Sequence, residues 1–231
     1  MRSFIGCQKQ AVSTHIHPQA IIAPQARIDS TAIIEAGVKI GAKTSVWDHV
    51  HIRHDSRIGE ECIIGEKTYI AYGVHIGHRV KINAFVYICN GVTIEDGVMI
   101  SAGTIFTNDR FPRATTPDLR HLRPSEPDEH TRLTWVRQGA TIGAGCTVGN
   151  DLEIGRFAMV GMGSLVTKSV PNFHLALGQP AASVGCVCRC GQLLLRFDEP
   201  GAVSAASVTC SACALPYAID HGHVTECAPP I

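Results

Sequence analysis

Six of the ten cysteines in this 231-residue chain crowd its final stretch, namely Cys186, Cys188, Cys190, Cys210, Cys213 and Cys227. Cys188-Arg189-Cys190-Gly191 and Cys210-Ser211-Ala212-Cys213 are closely spaced thiol pairs, a pattern that suits four thiolates around a tetrahedral ion such as structural Zn2+. Cys186 is an alternative ligand. Twelve histidines offer a second chemistry, because imidazole titrates near neutral pH. A third candidate is Phe106-Thr107-Asn108-Asp109-Arg110-Phe111-Pro112-Arg113-Ala114, where an amide, a carboxylate and two guanidinium groups lie close together. Asn108 can hold a substrate but cannot act as a base. Asp109 can act as a base or orient a hydroxyl, and the forks of Arg110 and Arg113 suit phosphates.

The elements that must position these groups follow from a six-residue period. From Ile16, steps of six land on Ile22, Ile28, Ile34, Ile40, Val46, Ile52 and so on through Ile100 to Phe106, bulky and apolar every time. Two residues earlier runs a column of small or β-branched residues, including Ala32, Val38, Thr44, Val50, Ser56, Cys62 and Thr68. Glycine often follows the bulky residue, as in Ile40-Gly41, Ile58-Gly59 and Ile64-Gly65, where a tight turn or positive φ is expected. The period restarts at Val136, Ile142, Val148, Ile154, Val160 and Val166. Helical spacing cannot produce it. Short strands that bury nothing alone gain one continuous core by stacking, so the chain reads as an all-β parallel solenoid.

Between about 107 and 133 the period is interrupted by Pro112, Pro117, Pro124 and Pro127 among many charges, which predicts an extruded loop without structure of its own. The reading is either a functional loop or a tolerated surface insertion. Lys plus Arg equals Asp plus Glu at 20 each, so no overall field favours nucleic acid or an anionic membrane. The first ten residues lack a signal-peptide pattern, which makes the cytoplasm the expected location and its cysteines free thiols or metal ligands.

The aliphatic-Gly-x-x-small-x hexad resembles the hexapeptide-repeat transferases. That resemblance implies a left-handed parallel β-helix of about seven coils, three hexads to a coil, assembled as a homotrimer with its loop against the adjacent subunit. The segment 106–114 resembles that of bacterial nucleotide-sugar N-acetyltransferases acting on 3-amino sugars. So do Gly139-Ala140-Thr141-Ile142-Gly143-Ala144-Gly145, Val160-Gly161-Met162-Gly163-Ser164-Leu165-Val166-Thr167-Lys168 and Gly178-Gln179-Pro180-Ala181. The implied activity is acetyl transfer from acetyl-CoA to the amino group of a nucleotide-linked amino sugar. CoA is then expected along Ala144, Gly161, Gly163, Lys168, Gln179 and Pro180, and the acceptor near Tyr87, Asn90, Asn108, Asp109 and Arg110. In the resembling enzymes the Asn at position 108 lies near the acceptor amine and the CoA sulfur, and the departing thiolate can take the proton. Ala182 stands where an Arg is expected beside the CoA nucleotide, a cation that Lys168 would replace.

With eighteen residues per coil, His51, Tyr69 and Tyr87 stack on one outer face, either a sugar- or base-stacking surface or a trimer interface. His51 is the reserve general base. His54 and His78 fall at turns. A zinc carbonic anhydrase of the same fold is disfavoured, since Gly77-His78 is followed five residues on by Asn83 rather than His. The two cysteine pairs resemble the knuckles of a zinc ribbon. Domains are expected at 14–183, the β-helix, and 184–231, a tail that covers the end of the solenoid. An O-acetyltransferase on a glycan precursor and a non-catalytic trimeric scaffold are the rival readings.

Overall fold

The computed structural model describes residues 15–124, 126–127, 131–197 and 206–229. The N-terminal stretch read for a signal peptide lies outside these residues, as does Pro200-Gly201, a pair whose residue types suit a turn. All regular structure among the described residues is β, arranged as a left-handed parallel β-helix. One face carries eight parallel rungs, from His15–Ile16 to Leu165–Val166, and a second carries seven, from Ile21–Ile22 to Glu153–Ile154. The third face has ten strands, of which the last two are antiparallel. Its parallel part ends at His174–Gly178, beyond the last hexad at Val166, so the structure exceeds the seven coils expected. No helix among the described residues is long and apolar enough to cross a membrane.

Most rungs are two residues long and cannot persist alone. Each is fixed by the coil above, as where Ile33 N donates to Val50 O at 2.8 Å and Arg57 N to Val74 O at 2.9 Å. Inside, the bulky column from Ile34 through Ile52, Ile70 and Ile88 is sealed from water. Each such isoleucine contributes about 1.5–3 kcal/mol by burial. The small column tolerates polar residues because they donate to the backbone of the next coil: Thr44 Oγ1 to Gly59 O at 2.8 Å, Ser56 Oγ to Ala71 O at 2.8 Å and Cys146 Sγ to Gly161 O at 3.1 Å. The buried hydroxyls of Thr44 and Ser56 are thereby satisfied, whereas Thr134 Oγ1 has no partner among the described residues.

The glycines that follow the bulky residue are there for a different reason from positive φ. A Cβ on Gly59 would collide with Gly77 O, so it is the next coil's backbone that excludes a side chain. Left-handed φ occurs two residues later in the hexad, at Lys43, Glu61, Lys67, Arg79 and Phe85.

The extruded loop has structure of its own, contrary to expectation. Thr115 and Leu122 form an antiparallel bridge, reinforced by Thr116 N to His121 O at 2.9 Å and Arg123 N to Ala114 O at 3.0 Å. At its root Asp109 bridges Thr131, and Arg132 N donates to Asn108 O at 3.0 Å. Four prolines did not prevent this hairpin, because it needs only a few backbone bonds between them.

Past the last parallel rung, Ala181–Val187 turns back antiparallel on His174–Gly178, running across position 183, and Leu193–Arg196 pairs with it. A three-stranded antiparallel sheet, Ala206–Thr209, Pro216–Asp220 and His223–Glu226, completes the described tail. Phe157 stacks on Phe173, and Phe173 meets Tyr217 edge-on, linking the last coil to the tail with ring centroids 5.4 and 5.8 Å apart. Arg189 lies 4.4 Å over the Phe157 ring and pairs with Glu226 at 2.8 Å.

Replacing Gly59 by Ala should cost about 1–3 kcal/mol in urea unfolding, since the methyl meets backbone rather than a movable side chain. Unaltered stability would show that the coils can part at that corner.

Candidate active site

The 18-residue coil places Tyr72, Asn90 and Asn108 in one column at the corner between the first and second faces. Asn108 Nδ2 donates to Asn90 O at 3.1 Å, and Asn90 Nδ2 donates to Tyr72 O at 2.8 Å. A carbonyl can only accept, so in both residues the NH2 end is committed to the preceding coil. Each half-buried side chain then has Oδ1 left as an acceptor for a ligand, beside the second N–H of its amide. Asn108 Oδ1 therefore suits an amine N–H. Asn108 is also absent from the left-handed residues, so the turn it begins does not require an asparagine. His54 continues the column, its ring stacked on Tyr72 at 5.1 Å and 2°.

Asn108 and Asp109 floor a cleft of about 340 Å³ under the loop, with Arg113, Arg123 and Glu126 on its walls. Burial, and then the Glu126 carboxylate, hold the Tyr72 phenol above its ordinary value. Asp109 Oδ1 accepts from Phe111 N at 2.8 Å, which ties that oxygen to the loop turn. Arg110 is exposed, lies 5.7 Å over Phe111 and does not line the cleft. Arg113 does line it.

Tyr87 is on the rung next to that of Asn108 and stacks on Tyr69 at 5.3 Å, while Tyr69 meets His51 edge-on at 5.4 Å. The expected aromatic column is thus present. His51 Nε2 lies 2.8 Å from Glu35 Oε1, which also takes Arg53 Nε at 2.7 Å, and Glu35 Oε2 accepts from His54 N at 3.0 Å. Burial opposes charge on Glu35, but the bonds from Arg53, His51 and the His54 amide outweigh it and hold the carboxyl below its usual range. His51 is three rungs from the Asn108 coil, about 14 Å at ordinary strand spacing. Within one chain the two catalytic candidates do not meet.

On the opposite edge of the first face, Ala144, Gly161, Gly163 and Gln179 do come together. Gly163 N donates to Ala144 O at 2.8 Å and Gln179 Nε2 to Gly163 O at 2.6 Å. A Cβ on Gly163 would meet nothing within 4 Å, so its surface is open to a ligand. Pro180 follows Gln179 through a cis peptide bond. Lys168 is exposed at the far end of the rung Leu165–Val166, in the corner column of Asn108 and Asn150.

In the tail, the ligand atoms of Cys188, Cys190, Cys210 and Cys213 all lie within 4.8 Å of one another and could hold a metal ion. Cys188 is buried and bonds Tyr217 OH at 3.1 Å; Cys190 and Cys213 are exposed. Backbone N–H groups of Cys213 and Ala212 lower the Cys210 thiol to about 7, favouring the thiolate that a metal takes. Cys186 is fully buried, outside this cluster, and pushed up to about 11 by burial. His174 clasps the tail, with Nδ1 2.9 Å from Ser183 Oγ and Nε2 2.7 Å from Gly222 O.

Residues 37–71 and 73–108 match the bacterial transferase hexapeptide family, and residues 56–89 match the hexapeptide repeat of succinyl-transferase. Over those residues the chain carries hexapeptide repeats. Among its relatives, the dTDP-3-amino-3,6-dideoxy-alpha-D-galactopyranose 3-N-acetyltransferase of Aneurinibacillus thermoaerophilus is 44% identical over 66 residues, 29% of this chain and 34% of that protein. Serine acetyltransferase of Escherichia coli K12 is 41% identical over 58 residues, 25% of this chain and 20% of that enzyme. The chain thus spans about a third or less of the length of these curated relatives. A solved structure of AntD, an N-acyltransferase from Bacillus cereus in complex with dTDP and 3-hydroxybutyryl-CoA, superposes with a TM-score of 0.45. The two are 20% identical over 75% of this chain and 82% of that one.

Tyr72, Glu35 and Arg123 were not singled out by the sequence. Subtracting eighteen twice from Asn108 leads to Tyr72, so register could have found it. Glu35 stands at a hexad position often held by glycine and looked like surface charge.

Burial holds the His174 imidazole below its ordinary value of 6.5. Its neutral form is the one clasped, so tail docking should be pH-independent above about 6.5 and weaken as pH falls beneath it. Thermal unfolding followed from pH 8 to pH 5 should show a shallower decline for His174→Gln than for the parent; parallel slopes would remove His174 as the titrating group.

Proposed function

We propose that the protein is an acetyl-CoA-dependent N-acetyltransferase acting on a nucleotide-linked amino sugar, acting in the cytoplasm as a homotrimer with sites between subunits. The observation that carries this reading is the amide ladder ending at Asn108 on the floor of the loop cleft, within the segment 106–114. The relative from Aneurinibacillus, a 3-N-acetyltransferase by name, supports a 3-amino deoxysugar as acceptor. Asn108 Oδ1 takes an N–H of the neutral amine and directs its lone pair at the thioester carbonyl carbon. A C–N bond forms, the C–S bond breaks, and the CoA thiolate leaves with the amine proton. Arg113 faces the sugar nucleotide's phosphates from the cleft wall, with Arg110 outside the cleft, and Tyr87 and Asn90 face the sugar. CoA runs along Ala144, Gly161 and Gly163 toward Lys168, Gln179 and Pro180, where small residues admit the pantetheine arm. The β-helix domain, 14–183, carries the reaction, and the tail, 184–231, is held by Zn2+ on Cys188, Cys190, Cys210 and Cys213.

O-acetylation is the second reading, favoured by one observation: Glu35 orients His51, and a hydroxyl acceptor, unlike an amine, needs such a base.

Free-thiol release from acetyl-CoA should occur with dTDP-linked amino sugars and not with hydroxyl analogues; the reverse preference would select O-acetylation. No thermal shift with saturating acetyl-CoA would leave a non-catalytic scaffold standing. Asn108→Ala should lower turnover on the order of 10²-fold at unchanged CoA affinity, and full turnover would take Asn108 out of the mechanism. Native mass spectrometry should find zinc at one ion per chain, lost in Cys210→Ser; metal-free protein with an intact tail would refute the thiolate site.

A further inference from the structure

One turn position, repeated on successive coils, is occupied in order by Lys67, Phe85, Gly103, Gly145 and Gly163. Their register is fixed by equivalent backbone bonds, Phe85 N to Glu66 O, Gly103 N to Ala84 O, Gly145 N to Ala102 O and Gly163 N to Ala144 O. All five are in the left-handed region, with φ between 56° and 71°. Glycine suits that conformation; a phenylalanine in it is uncommon. A Cβ on Gly145 or Gly163 would meet nothing within 4 Å, so the three glycines form an unobstructed track up this edge. Phe85 ends the track abruptly. Its ring is 58% exposed rather than packed in the core, and Lys67 Nζ lies 5.3 Å over it, with an ion pair to Asp48 at 3.8 Å. The left-handed backbone is shared by Lys43, Glu61, Lys67 and Arg79 at the same place in the hexad; what sets Phe85 apart is a large ring left mostly in solvent at the end of a glycine track.

We infer that Phe85 is an acyl-length stop, restricting the donor to the acetyl group or one scarcely larger. The inference rests on the acyltransferase reading above. Gly103 and Asn108 flank the same rung, Ile105–Phe106, so they lie at one level of the solenoid. A threefold axis parallel to the solenoid would keep that level in every subunit. With the thioester at that level, the body of CoA extends along Gly145 and Gly163. The acyl chain points the other way, toward Phe85 one coil off, at about 4.8 Å strand spacing. A methyl fits against the ring; a longer chain runs into it.

The test is calorimetric binding of acetyl-, propionyl- and butyryl-CoA to the full chain and to Phe85→Gly, which keeps the backbone conformation, and to Phe85→Trp. Free CoA serves as the control for an intact groove. The parent should prefer acetyl- over butyryl-CoA by roughly tenfold or more, the usual value of excluded methylenes. Phe85→Gly should abolish most of that preference, and Phe85→Trp should extend it to propionyl-CoA. A parent without length preference, or a preference that survives Phe85→Gly, overturns the stop while the transferase reading stands. Failure of the parent to bind CoA or any acyl-CoA would instead bring down the transferase reading itself, and the stop with it.

Discussion

Everything in this molecule depends on congruence between coils. A two-residue rung has no stability of its own and exists because its amides donate to a rung eighteen residues away. Any side chain that changed the path of one coil would disturb both neighbours, which is why Gly59 must stay bare against Gly77 O. The same congruence turns single residues into columns. Asparagine above asparagine, tyrosine above tyrosine and glycine above glycine are consequences of register, and each column becomes a surface with one chemical character.

Much of this was legible in the sequence because the period is short and strict. The inward residues, the outer stack of His51, Tyr69 and Tyr87, and the clustering of four cysteines all follow from counting. What escaped counting involved contacts outside the period. The hairpin of the loop rests on a few backbone bonds that proline-rich composition concealed. Glu35 gathers His51, Arg53 and the His54 amide because it departs from the glycine often found at its place, and a departure carries no periodic signal. Of the two readings of the glycines, tight turn or positive φ, the second fails at Gly41, Gly59 and Gly65, because a hexad records that no side chain is tolerated without saying whether dihedral strain or a neighbouring backbone forbids it.

The candidate site was legible only in part. Register brought Tyr87, Asn90 and Asn108 together and set Ala144, Gly161 and Gly163 on another edge. Asp109 and Arg110 depend on the loop's own turns, which direct one oxygen of Asp109 into the chain and leave Arg110 outside the cleft that Arg113 lines.

The carboxy-terminal strand Ala181–Val187 lies antiparallel on the final parallel rung of the third face and offers its own outer edge to Leu193–Arg196. A stack of identical rungs is otherwise an open template, to which a further β-helix could add end to end. Ala181–Val187 pairs with the last rung and Leu193–Arg196 pairs in turn with Ala181–Val187, so the donors and acceptors of that rung are already taken and an incoming rung cannot add to it directly. The tail thus acts as a terminator on this face, keeping a structure built by indefinite repetition from propagating into fibres.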